Sequence, residues 1–199
     1  MTKSVLVIGS TGQLGQSLHK VAGEFSGLQL EFVGRDQLDL AVPGSVARFF
    51  ATQPADSFSY IINAAAYTAV DQAESEPEVA DQVNHLAVSE LTIAAQQQNA
   101  FLLHVSTDYV FDGQGHRPWL ETDPVAPLNC YGRSKLAGEQ AMQASGCRGT
   151  IVRTSWVYSE FGNNFVKTML RLASERNELG VIVDQVGTPT YATDLARAL

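Results

Sequence analysis

Short, uninterrupted apolar runs alternate along this chain with longer stretches in which apolar residues return every three or four positions. Val5 to Ile8 is the first such run, as expected of a strand buried on both faces of a parallel sheet. Leu14, Leu18 and Val21 follow at helical spacing, so a helix opens almost at once. Continued along the chain, the pattern predicts strands near 4–9, 28–33, 60–64, 101–106, 150–154 and 181–183. It predicts helices near 13–24, 44–52, 77–98, 128–145, 164–176 and 193–199. Pro118, Pro124 and Pro127, with Gly113 and Gly115, make 112–127 a loop. Strands and helices in turn mean parallel strands joined by right-handed crossovers. The expected fold class is therefore α/β, a doubly wound, mostly parallel sheet with helices on both faces.

Glycines at 9, 12 and 15 sit between the first strand and the first helix. Strand, glycine turn and helix form the context a dinucleotide fingerprint requires. Missing side chains let the backbone approach a pyrophosphate, and the helix N-terminus offers free N–H groups. The spacing is Gly-x-x-Gly-x-x-Gly rather than the usual Gly-x-Gly-x-x-Gly. With this turn, the sheet is expected to be of Rossmann type, and residues 1–199 to form one NAD(P)-binding domain.

Ligands of such sheets sit at the carboxyl ends of the strands. After the second strand come Gly34, Arg35 and Asp36, at the point that faces an adenosine ribose. Arg35 suits a 2′-phosphate and Asp36 a free 2′-hydroxyl, so NADP and NAD both remain open. Asp39 and Leu40 could flank the adenine. The third strand ends in Asn63 and then Ala64, Ala65 and Ala66, small enough for a cofactor to pass close to the backbone. The fourth ends in Ser106 and Thr107, whose hydroxyls could bond a substrate carbonyl oxygen. His104 lies inside that apolar run and reads as a core histidine with its hydrogen bonds met.

Tyr131 and Lys135 stand four apart, so both lie on one helix face. A lysine ammonium beside a phenol favours the phenolate and lowers its pKa, tuning the tyrosine for proton transfer. Alone, this spacing is a weak signal. It gains weight from the glycine turn at the other end of the chain.

Composition narrows the partners. A formal net charge of −8 argues against nucleic acid, which wants basic surfaces. No apolar stretch reaches membrane-spanning length, and the opening apolar run is too short for a secretory signal. The two cysteines, Cys130 and Cys147, form neither a metal-ligand spacing nor a disulfide framework, so a cytoplasmic home is expected. His19, His85 and His116 show no ligand pattern, and no metal site is expected.

Together, the glycine triplet, Asn63 to Ala66, Thr107 and the Tyr131/Lys135 pair resemble an extended short-chain dehydrogenase/reductase. Longer motifs narrow the likeness to the dTDP-4-dehydrorhamnose reductase family. These are Ser106-Thr107-Asp108-Tyr109-Val110-Phe111-Asp112-Gly113, Pro118-Trp119, Glu121-Thr122, Pro127-Leu128-Asn129 before Tyr131-Gly132, Arg153-Thr154-Ser155-Trp156-Val157-Tyr158, and Gly162-Asn163-Asn164-Phe165. The resemblance implies reduction of dTDP-4-dehydro-L-rhamnose to dTDP-L-rhamnose with NADPH or NADH. It implies Tyr131 as the acid for the 4-keto oxygen, Lys135 as holder of the nicotinamide ribose, and Thr107 as their hydroxyl partner. Gln13 and Leu14 would lie in the pyrophosphate loop and Ala64 to Ala66 against the cofactor. Asp108 and Trp156 would touch the sugar nucleotide, with 156–180 on the substrate side.

Two departures from the family follow. Relatives usually continue well past Leu199, so the C-terminal substrate-binding part is expected to be truncated here. Some relatives dimerise through magnesium held by glutamates, and Ser17 stands where one of these lies on the first helix. That speaks against a magnesium bridge while leaving room for a homodimer. Two other readings share the motifs. A sugar-nucleotide epimerase or dehydratase is one, but the dehydratase's acid–base glutamate is replaced by Tyr109. A non-catalytic NADP-binding subunit like the methionine adenosyltransferase beta subunit is the other, but it would not require the intact Thr107, Tyr131 and Lys135.

Overall fold

The computed structural model describes residues 2–115 and 117–199. Met1, the first residue of the expected domain, and His116, in the 112–127 loop, lie outside the described residues. Five parallel strands form the central sheet: β1 (Lys3–Ile8), β2 (Leu28–Val33), β3 (Tyr60–Asn63), β4 (Phe101–Thr107) and β5 (Gly149–Thr154), in the order β2-β1-β3-β4-β5. The chain runs outward from β1 to β2, then crosses back to β3 on the other side. That reversal opens a crevice at the carboxyl ends of β1 and β3.

Helices cover both faces, and the alternation of side chains along each strand decides which face meets which helix. On one face Leu6, Ile8, Ile61 and Leu102 pack with Val46 and Phe50 of α2 (Ser45–Ala51) and Met142 from a long later helix. On the other, Val5, Val7 and Ile62 pack with Leu14, Leu18 and Val21 of α1 (Gln13–Val21) and with Leu195.

Between β3 and β4 the expected single helix is three pieces, preceded by a short α3 (Val70–Ala73) that the pattern did not suggest. α4 (Pro77–Asp81) passes into one wide π-helical turn at Gln82–Leu86 before α5 (Ala87–Gln97). The wide turn presents Asn84 to its surroundings. Its carboxamide accepts from the Tyr67 N–H at 2.9 Å and donates to the Tyr67 carbonyl at 3.1 Å and to Ser134 Oγ at 3.0 Å. Ser134 belongs to α6 (Cys130–Ser145), whose first turn is capped by Asn129 accepting from the Gly132 N–H at 2.7 Å.

The expected strand at 181–183 is absent. Val181, Ile182 and Val183 are exposed and pair with no strand. β-Branched residues favour strands only where a neighbouring edge and a packed face receive them, and here neither does. A two-stranded parallel sheet forms instead from β6 (Val157–Tyr158) and β7 (Thr190–Tyr191). α7 (Phe165–Glu175) lies between them in sequence, and α8 (Ala192–Ala198), which carries Leu195, closes the chain.

α6 can settle on the π turn only because residue 138 is glycine: a Cβ there would collide with the Asn84 carbonyl oxygen. Gly138→Ala should therefore destabilise the fold by about 1–3 kcal/mol. A urea melt should show a lower midpoint with an unchanged slope. An unchanged midpoint would mean that the two elements are not held this closely.

Candidate active site

The crevice at the strand ends is a cleft of about 630 Å³. Its floor is the turn after β1. Gly9 has φ 91°, and a Cβ on it would lie 2.7 Å from the Ala65 backbone nitrogen, so the turn and the Ala64–Ala66 strand end touch backbone to backbone. Gly12 caps α1 with no side-chain hydrogen bond, which leaves the first-turn N–H groups free to face an anion. Gly9, Gly12, Gln13 and Leu14 line the cleft, and so do Ala64, Ala65 and Ala66. Gly15 does not. It is buried in α1, where a side chain would strike the Gly9 carbonyl, so its place is to let the helix close on the turn. The Gln13 side chain is turned away to β6 and α7: its Oε1 accepts from Ser159 Oγ at 3.0 Å and from Asn164 Nδ2 at 2.9 Å.

Arg35, Asp39 and Leu40 lie at one end of the cleft. The Arg35 side chain is 82% exposed, with its Nε 4.0 Å from Asp39 Oδ1. Asp36 is not among the lining residues. At the other end stand Thr107, Asp108, Tyr131, Lys135 and Trp156. Thr107 Oγ1 accepts from the Tyr109 N–H and donates to Asp108 Oδ1, both at 3.2 Å. The Tyr131 ring meets Tyr109 edge-on, with centroids 5.6 Å apart. Trp156 has φ 46°, a left-handed backbone that costs a non-glycine residue about 1 kcal/mol or more. Its indole lies against Gly187 and faces Phe165.

Lys135 is 1% exposed. Its Nζ donates to the Val105 carbonyl at 2.8 Å and lies 3.3 Å from His104 Nε2. It makes no hydrogen bond with Tyr131. The expectation that the lysine pulls the phenol down is therefore corrected for this state of the site. Burial pushes the Tyr131 hydroxyl up to about 12, the Thr107 hydroxyl pulls it part of the way back, and the nearby Asp108 and Tyr109 raise it further. Burial also draws Lys135 down to about 8, against the pull of Glu139 one turn along. Asp108 is likewise raised by burial. Each group at this end is pushed toward its uncharged form, because a low-polarity surround penalises charge of either sign.

Sequence reasoning named several residues without giving them a part in the cleft. Asn63 bonds His104, which faces Lys135 from behind, and Thr154 and Asn163 line the wall. The period-2 alternation of β4 was the available signal, since it puts Leu102, His104 and Ser106 on the face that α6 covers. Among the described residues, no group of three His, Cys, Asp or Glu could hold a metal, and no helix is long and apolar enough to cross a membrane.

The fit to a dinucleotide rests on two features: the side-chain-free cradle at Gly9, and two buried hydroxyls. Ser106 Oγ and Thr154 Oγ1 lie in the cleft wall with no partner among the described residues, so a polar ligand would answer them.

The doubly wound sheet, its glycine turn and the hydroxyl–tyrosine–lysine cluster define an α/β protein of short-chain dehydrogenase/reductase type. The family described as the RmlD substrate binding domain matches residues 2–199, and the chain belongs to it. A dTDP-4-dehydrorhamnose reductase of Escherichia coli (strain K12) is 48% identical over 199 residues, covering 97% of this chain and 64% of its own length. The crystal structure of a dTDP-4-dehydrorhamnose reductase from Bacillus anthracis in complex with NADP superposes with a TM-score of 0.92 at 39% identity, covering 100% of this chain and 69% of that one. The ortholog from Clostridium acetobutylicum gives 0.89 at 39% identity, over 98% and 68%. The chain thus spans somewhat under two thirds of the length of the first of these.

The buried lysine makes stability depend on pH. The folded chain holds Lys135 near 8 and the unfolded chain near 10.5, so between these values the unfolded chain binds more protons and stability rises with pH. Relative to Lys135→Met, the wild-type chain should gain up to ~3 kcal/mol as pH climbs through that window. Paired denaturant melts across the window should show the difference widening, and a flat difference would place the amine in water.

Proposed function

We propose that this chain carries the cofactor cleft and the proton donor of a reductase that converts dTDP-4-dehydro-L-rhamnose to dTDP-L-rhamnose with NADPH, in dTDP-rhamnose biosynthesis. The observation that carries the reading is the meeting of Thr107, Tyr131 and Lys135 at one end of the cleft whose floor is the glycine turn. Membership of the family and the NADP held by the Bacillus anthracis relative support it. Arg35 lines the cleft and Asp36 does not, which favours a 2′-phosphate and hence NADPH over NADH. The free N–H groups at the start of α1 would hold the pyrophosphate, and Ala64 to Ala66 would lie along the cofactor.

The nicotinamide cofactor supplies the hydride that reduces C4 of the sugar. Tyr131, held protonated, stands as the acid for the keto oxygen, and Thr107 offers a hydroxyl to the same atom. Lys135 in its charged form stabilises the phenolate that remains. Asp108, Trp156 and the 156–180 segment face the sugar nucleotide. The free thiols of Cys130 and Cys147 suit a reducing compartment, and we place the reaction in the cytoplasm.

Following oxidation of NADPH and of NADH with the dTDP-4-keto sugar tests the reading, on this chain and on one extended to the length of its relatives. Tyr131→Phe should cut turnover by roughly 10²–10⁴-fold and leave cofactor affinity intact. Undiminished turnover would remove the tyrosine from its role. Lys135→Ala should weaken cofactor binding as well as rate.

A further inference from the structure

Behind Tyr131 a hydrogen-bond chain runs through the interior, and its direction is fixed from one end. The Ala65 N–H, a donor that cannot turn round, lies 3.1 Å from Asn63 Oδ1. That pins the oxygen of the carboxamide, so the other arm of Asn63 is its NH₂ group. The NH₂ lies 3.1 Å from His104 Nδ1, which must then accept. A ring that accepts at Nδ1 carries its proton on Nε2. Nε2 faces Lys135 Nζ at 3.3 Å.

An ammonium has only donors, so an Nε2–H pointing at it is a donor facing a donor. An uncharged amine has a lone pair to receive that hydrogen and still donates to the Val105 carbonyl. The reverse tautomer would set Nδ1–H against the Asn63 NH₂, and a charged ring is opposed by complete burial and by Lys135 beside it. We propose that His104 is a positioning residue, held by Asn63 as the Nε2–H tautomer, and that it favours the uncharged, hydrogen-bond-accepting form of the Lys135 amine until a ligand brings oxygen acceptors into the cleft.

The charged and titratable groups around the amine are few. His104 faces it from β4. Tyr131 and Glu139 flank it on α6. Glu139 favours the ammonium, but its carboxylate is already held by Arg153 of β5 through Nε at 3.0 Å and Nη2 at 2.6 Å. Asp108 lies beyond Tyr131, on which it acts. The chain also joins the lysine to the cleft wall, because Ala65 lines the cleft and orients Asn63. The catalytic meaning of this lock rests on the reductase reading, but its existence does not, and the test below is spectroscopic so that either can fail alone.

The chain has four histidines and four lysines, few enough to resolve one by one. Long-range nitrogen–proton correlations of the ¹⁵N-histidine-labelled full chain report which ring nitrogen is bare, with His104→Gln assigning the signal. His104 should show protonated Nε2 and bare Nδ1. In Asn63→Asp the carboxylate accepts from both Ala65 and the ring, so the ring should reverse to Nδ1–H. The Lys135 midpoint, read from its labelled ε-carbon, should then rise by about one pH unit or more. An Nδ1–H ring in the unsubstituted chain overturns the proposal and needs no variant to fold. A raised Lys135 midpoint with the ring unreversed would mean that the new charge acts through space, and it too overturns the proposal, as does a midpoint that stays put.

Discussion

The amine of Lys135 sits in a place where charge is expensive, and much of the surrounding structure is arranged around that fact. A fully desolvated ammonium is tolerable only with close partners. Of the two charges on this face of α6, Glu139 has a fixed cation in Arg153, while Lys135 has only the Val105 carbonyl and a neutral histidine. α6 must lie hard against β4 for these bonds to form. Glycine at 138 and the Asn84 bracket on Tyr67 and Ser134 fix α6 from its other side, against the π turn, and the Asn129 cap fixes its first turn. The site depends on a helix pressed onto the neighbouring π turn far more tightly than ordinary side chains would allow.

Much of this was legible in the chain because it rests on periodicity and on missing side chains. The Val5 to Ile8 run, the glycines and the three alanines announce a strand, a turn and a close backbone approach by composition alone. The helical spacing of Tyr131 and Lys135 placed both on one face. What escaped depends on neighbours distant in sequence. The π turn at Gln82–Leu86 answers to Tyr67 and Ser134, which no local pattern reveals. The exposed run at 181–183 has the residues of a strand without an edge to join. The direction of the phenol's shift was misjudged because spacing along a helix says that two groups are near, and says nothing of what buries them.

His104 shows the boundary between the two kinds of knowledge. Its position inside an apolar run marked it as a core histidine, and both its ring nitrogens do have partners. The partners, however, are Asn63 at the end of β3 and Lys135 on α6. Parallel pairing sets Asn63 opposite His104 in register, and the sheet alternation turns His104 toward α6. A residue that looks like filling from its own segment becomes a junction once three segments are brought together.

Burial shifts Tyr131 upward, Asp108 upward and Lys135 downward, so one cause disfavours charge of either sign at this end of the cleft. Such a site holds its proton donor loaded, because the phenol cannot ionise unaided. It also weakens the positive charge that would steady a phenolate. Anything that offers oxygen acceptors to the lysine favours its charged form, and the unpartnered hydroxyls of Ser106 and Thr154 stand in the same wall. Readiness for proton transfer is then a property of the filled cleft and not of the folded chain, which guards the donor against premature ionisation while the site is open to water.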